Sequence, residues 1–97
     1  MYQYTGGITT MQNAIEEVIS QLQTGWVFDA HFVINQLIKN HSDVYIHFAG
    51  PDQTTAQMHG HISQIIDNLP NTKQLGDNSC SENIHGKPSL CHYWEIA

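Results

Sequence analysis

Ser89-Leu90-Cys91-His92-Tyr93-Trp94-Glu95-Ile96 alternates Leu90, His92, Trp94 and Ile96 with Cys91, Tyr93 and Glu95. Alternation with period two is the pattern of a half-buried strand. The chain therefore cannot be read as helices alone, and the fold class expected is α+β. The partner strand should include Lys73-Gln74-Leu75, since the stretch between them, Gly76 to Gly86, is rich in Asn, Ser, Gly and Asp and reads as an extended loop. Together these two segments predict a C-terminal β-hairpin.

Working back from the hairpin, the apolar period changes to that of helices. Met58, Ile62, Ile65, Ile66 and Leu69 form one stripe, opened by Thr54 or Thr55 and stopped by Pro70. Gly60 inside this helix costs about 1 kcal/mol relative to Ala unless close packing requires a bare backbone. Gly50-Pro51-Asp52 breaks the chain before it. Val44, Ile46 and Phe48 alternate with Tyr45 and His47, which fits a short strand, the alternative being a helical turn capped by Ser42-Asp43. A second helix is predicted from Asp29 to about Asn40, with Asp29 as its cap, Phe28 and Val33 as a hydrophobic staple, and Ala30, Val33, Ile34, Leu37 and Ile38 as its stripe. The first helix is the most regular, with Met11, Ala14, Ile15, Val18, Ile19 and Leu22 on one face. Thr9 and Gln12 match a capping box, and Gly25 suits the left-handed stop. The expected architecture is three helices followed by the hairpin.

Ninety-seven residues that are 40% hydrophobic supply one core, so a single domain covering residues 1–97 is expected. Nine acids oppose three lysines (Lys39, Lys73, Lys87), with no arginine, for a net charge of −6. Nucleic acid is gripped through cations facing phosphates, and three scattered lysines do not build such a surface. No run of 18 apolar residues occurs, and Met1 to Gly7 lacks the basic and apolar segments of a signal peptide, so no membrane is expected and the expected location is cytoplasmic. Cys80 and Cys91 are then free thiols by default, a Cys80–Cys91 disulfide being the alternative.

Seven histidines and two cysteines invite a search for a metal site. Cys80, His85, Cys91 and His92 cluster in sequence but match no zinc module, and adjacent strand residues such as Cys91 and His92 point to opposite faces. His59 and His61, two apart on a helix, do not share a face either. Neither a nucleophile with a spaced base nor a phosphate-binding glycine loop is present, so no catalytic residue, metal or cofactor is expected and the chain reads as a non-enzyme. Most aromatic residues should be buried. Trp26, between Gly25 and Val27 at a turn, is the one expected to protrude and anchor a partner.

Three helices and then two strands around a Gly-rich loop is the element order of a winged helix-turn-helix domain. Ser81-Glu82-Asn83-Ile84-His85-Gly86-Lys87-Pro88-Ser89, followed by Trp94, resembles the wing and last strand of small winged-helix-like proteins of bacterial genomes and mobile elements. The resemblance spans roughly Phe28 to Ile96. It implies a third helix turned toward a groove, with Gln57, His61, Gln64 and Asp67 exposed, and a wing carrying His85 and Lys87. Gln57 and Gln64 suit adenine edges, whereas Asp67 repels phosphate and the helix has no cation to hold register. In size and charge the chain is also similar to the small acidic proteins with which phages block bacterial defence, anti-CRISPR inhibitors among them, a likeness of composition that no motif carries.

The expected function is that of an acidic, non-enzymatic protein, encoded by a phage or mobile element, that engages a basic nucleic-acid-binding protein or complex as a DNA mimic. Glu16, Glu17, Asp29, Asp43 and Asp67, with Trp26, are the expected partner-binding residues. The alternative is a sequence-specific winged-helix regulator that reads DNA through Gln57, His61, Gln64, His85 and Lys87.

Overall fold

The computed structural model describes residues 7–97. Its elements run α1 (Gly7–Ser20), β1 (Val27–Asp29), α2 (Ala30–Asn40), α3 (Ser42–Ala49), α4 (Thr55–Asp67), β2 (Thr72–Glu82) and β3 (Pro88–Ile96). The fold is α+β. The three strands form one antiparallel sheet in the order β1-β3-β2, with β3 central.

The expected stripe of α1 is the side that packs: Met11, Ala14, Ile15, Val18 and Ile19 are all buried. The helix already runs from Gly7, so Thr9 lies within it and is not its cap. Asp29 does cap α2, its Oδ1 accepting the Phe32 N–H at 2.8 Å. Ala30, Val33, Ile34 and Leu37 of α2 are buried, while Ile38 sits at the margin of the stripe and is exposed. For α4 the cap is Thr54, in a complete capping box: Thr54 Oγ1 accepts the Gln57 N–H at 3.1 Å and the Gln57 side chain accepts the Thr54 N–H at 2.9 Å. No heavy atom lies within 4 Å of a Cβ built on Gly60, so close packing does not require that glycine.

Two further expectations, both of element type, are corrected by the structure. Residues 44–49 are not a strand but part of α3, which makes four helices instead of three. Val44 and Phe48 lie one helical turn apart and pack inward, as do Tyr45 and Ala49, while Ile46 is 70% exposed. A six-residue run with five apolar or aromatic members satisfies either period, and packing against α1 and α2 selects the helix. The segment from Gly76 to Gly86 is likewise mostly strand. β2 continues to Glu82, with register shifts around Gly76, and only Asn83 to Lys87 form the turn. Asn83 organises that turn: its N–H donates to the Lys87 carbonyl, and its Oδ1 accepts the His85 and Lys87 N–H groups. Polar composition imitated a loop because an exposed strand needs no apolar face.

The short β1 was not foreseen. It is fixed by Phe28 opposite Trp94, whose rings stack at 5.6 Å, and by backbone bonds from Gly25 N–H to the Ile96 carbonyl and from Ile96 N–H to the Trp26 carbonyl. Gly25 reaches these at φ +89°, a conformation that favours glycine. Trp94 is fully buried, and its indole N–H donates to Asp67 Oδ1 at 2.7 Å, joining β3 to the end of α4. Among the described residues, no helix is long and apolar enough to cross a membrane.

Candidate functional site

Two places gather chemically able side chains: a polar cluster where the start of α2 meets the β2–β3 hairpin, and a groove between α4 and the hairpin tip. The cluster follows from β1. Pairing Asp29 with Tyr93 sets the end of β1 and the first turn of α2 beside β3, and Ser79 pairs with Cys91 on the neighbouring strand. Asp29, His31 and Cys91, all half-buried, then offer ligand atoms that lie within 4.8 Å of one another.

Three serines surround them. Ser81 Oγ lies 2.7 Å from His31 Nδ1, and Ser89 Oγ lies 3.3 Å from His31 Nε2. The Ser79 hydroxyl donates to Asp29 Oδ2 at 3.0 Å, and Ser81 Oγ is 3.9 Å from Cys91 Sγ. Burial pushes the Asp29 carboxyl up, but bonds from Ser81, the Phe32 N–H and Ser79, together with the nearby His31, outweigh it and hold the pKa below the ordinary aspartate value. A carboxylate kept ionised beside imidazole and thiol is a ligand set more than a hydrolytic one. The carboxylate bonds the serines, and the far nitrogen of His31 faces Ser89, so the nucleophile–base–carboxylate sequence of a triad is not formed.

The groove, of about 340 Å³, is lined by Thr55 and His59 of α4 and the turn residues Asn83 and His85, together with His31 and Ser89. His59 Nε2 is 2.8 Å from Tyr45 Oη, which ties α4 to α3. Burial, and then the nearby His31 and His85, lower the His59 pKa, so its neutral form is favoured.

The acidic residues expected to meet a partner divide into two groups. Glu16, Glu17 and Asp43 are exposed around the junction of α1 with α3: Gln12 Nε2 donates to Glu16 at 3.1 Å, and Glu17 lies 3.7 Å from His41, two residues before Asp43. Asp29 and Asp67 are taken up by the fold instead, Asp29 in the serine cluster and Asp67 as acceptor for Trp94 and, at 2.8 Å, for Gln74 Nε2. Trp26 protrudes as expected, 49% exposed beside an apolar groove shared with Leu22, Val27 and Phe32. Gln57, His61 and Gln64 are exposed on α4, and His85 and Lys87 on the turn. Both cysteines are free thiols, Cys80 exposed and Cys91 half-buried.

The grouping of His31 and Cys91 with Asp29 escaped the sequence. Its only signal was Asp29 and His31 two residues apart at a helix start. Cys91 joins them through β1, too short to read. Neither a family model nor a curated protein nor a solved structure matches the chain, so residues and geometry alone carry the functional reading.

Proposed function

We propose that this chain is a winged-helix-like, non-enzymatic binding domain whose acidic exterior engages a basic nucleic-acid-binding protein or complex in the bacterial cytoplasm. In this reading it is a DNA-mimicking, anti-CRISPR-like inhibitor encoded by a phage or mobile element. The observation that carries the proposal is the distribution of charge. The 13 residues of α4 contain no lysine or arginine and the hairpin turn contributes only Lys87, while Glu16, Glu17 and Asp43 gather on the exposed α1–α3 junction. Long-range fields act before hydrogen bonds form, so such a surface repels phosphate and attracts a basic partner.

A second reading, a sequence-specific DNA-binding regulator, is favoured by a separate observation. A helix, α4, followed directly by the long β2–β3 hairpin is the helix-and-wing order that the winged-helix resemblance implies. Gln57, His61, Gln64, His85 and Lys87 are then the DNA-facing residues.

Titration against random duplex DNA at low salt, where phosphate-driven binding is strongest, separates the two. The first reading expects no measurable affinity, together with a bacterial partner retained by the wild-type chain and lost by Glu16→Lys/Glu17→Lys. Affinity for DNA that falls steeply with salt favours the second.

A further inference from the structure

We propose that Asp29, His31 and Cys91 form a binding site for a divalent ion of the zinc class, a function separate from partner recognition by the acidic exterior. Thiolate, imidazole and carboxylate are the three donor types that zinc takes from proteins, and the sulfur turns the set away from magnesium and calcium. The three ligand atoms already lie within 4.8 Å of one another. Bonds of about 2.0–2.3 Å place tetrahedral zinc ligands roughly 3.3–3.8 Å apart, so no pair has to close by more than about 1.5 Å.

The surroundings are those of a metal site. A ligating histidine is normally oriented through its other ring nitrogen, and ligating carboxylates are themselves hydrogen-bonded. Here Ser89 Oγ stands 3.3 Å from His31 Nε2, so that an ion would bind at Nδ1 by displacing the Ser81 hydroxyl that bonds it at 2.7 Å. The Phe32 N–H and the Ser79 hydroxyl hold the two oxygens of Asp29, and the Ser81 hydroxyl, which also bonds this carboxylate, is the partner an ion would replace. Ser81 Oγ, 2.7 Å from His31 Nδ1 and 3.9 Å from Cys91 Sγ, marks the point on which the donors converge.

On binding, Cys91 releases its thiol proton, His31 gives the Nδ1 lone pair with its proton on Nε2, and Asp29 binds as carboxylate. Two negative ligands cancel the charge of the ion, which suits a half-buried place, and water takes the fourth position as in other three-ligand zinc sites. Cys80 stands apart. It pairs with Leu90, one position out of phase with Cys91, and therefore lies on the other face of the hairpin.

The test is titration of the full chain, reduced with a non-thiol reagent, with Co²⁺ as a spectroscopic stand-in for zinc. The expected result is a thiolate-to-cobalt charge-transfer band that saturates at one ion per chain and is bleached by Zn²⁺. Cys91→Ser should abolish the band and Cys80→Ser leave it unchanged. Ser89→Ala, which keeps all three ligands and the core, should weaken binding about tenfold. Zinc should also raise the melting temperature of the wild type and not that of Cys91→Ser. Absence of the band in the wild type, its survival in Cys91→Ser or its loss in Cys80→Ser would overturn the proposal. Neither DNA nor a protein partner enters these readouts, so they stand apart from the proposed function.

Discussion

The helices and the β2–β3 hairpin are held by different forces. Between the helices the contacts are apolar and closed: Met11, Ile15, Val33, Leu37, Met58, Ile62 and Ile66 are each no more than 2% exposed. In the hairpin, none of the 11 residues of β2 is fully buried, and beyond the backbone ladder its attachments are side-chain bonds such as those of Ser79 and Ser81 to Asp29 and His31. Substitutions among the helices therefore act through lost volume. In the hairpin they act through lost partners, which are individually weaker. Trp94 belongs to both regions, lying on the central strand, stacked on Phe28 and bonded to Asp67.

The largest effect is expected there. Trp94→Ala removes a fully buried aromatic from the junction and should cost about 3–5 kcal/mol in denaturant unfolding. A loss under 1 kcal/mol would mean that the hairpin and the helices are not coupled through this residue. Asp67→Ala comes next, at about 1–3 kcal/mol, because it leaves the buried indole N–H without its acceptor. Asp67→Lys should be at least as damaging, so charge reversal at this position reads the fold before any partner.

Within the hairpin, Ser81→Ala should cost only about 1 kcal/mol, since Asp29 and His31 keep other partners and some access to water. Its signature is local: the amides of residues 79–82 should exchange faster while those of α1 stay protected. Equal acceleration in both places would erase the contrast between the regions. Gly60→Ala carries the opposite sign. With open space around the added methyl group, it should stabilise the chain by about 1 kcal/mol, seen as a higher denaturation midpoint at unchanged slope.

The same contrast governs what could be read from the sequence. The stripes of α1, α2 and α4 were legible because apolar burial imposes a period, and the cap at Asp29 because a side-chain acceptor at a helix start has a fixed offset. The start of α4 was narrowed only to Thr54 or Thr55, and the capping pattern at Thr9 lay inside α1. The strand β3 was legible for the first reason. The polar length of β2 was not, because its pairing is made by backbone atoms that every residue shares. Residues 44–49 were misread because Val44-Tyr45-Ile46-His47-Phe48 alternates as neatly as it spirals, and only the neighbouring helices decide between the two. Of the residues expected to meet a partner, Glu16, Glu17, Asp43 and Trp26 are exposed as expected, whereas the commitment of Asp29 and Asp67 to internal bonds depends on Ser79 and Ser81, 50 and 52 residues from Asp29, and on Gln74 and Trp94, 7 and 27 residues from Asp67, beyond any local pattern.

The smallest expected effect concerns acid and links α3 to α4. His59 is half-buried beside Tyr45, and its pKa in the folded chain lies below the ordinary 6.5, through burial first and then the neighbouring His31 and His85. The unfolded chain therefore binds the proton more readily than the folded one, and stability must fall as pH drops from 6.5 toward the lower folded value, with no contribution from this group above that range. His59→Gln removes the titration while keeping a polar side chain within reach of Tyr45. Its stability should be flatter than that of the wild type between pH 7 and pH 5 in parallel denaturant titrations, with the two curves converging at the acid end. If the slopes coincide throughout, the α3–α4 contact does not depend on a neutral His59, and the acid sensitivity of the chain belongs to the hairpin and its carboxylates.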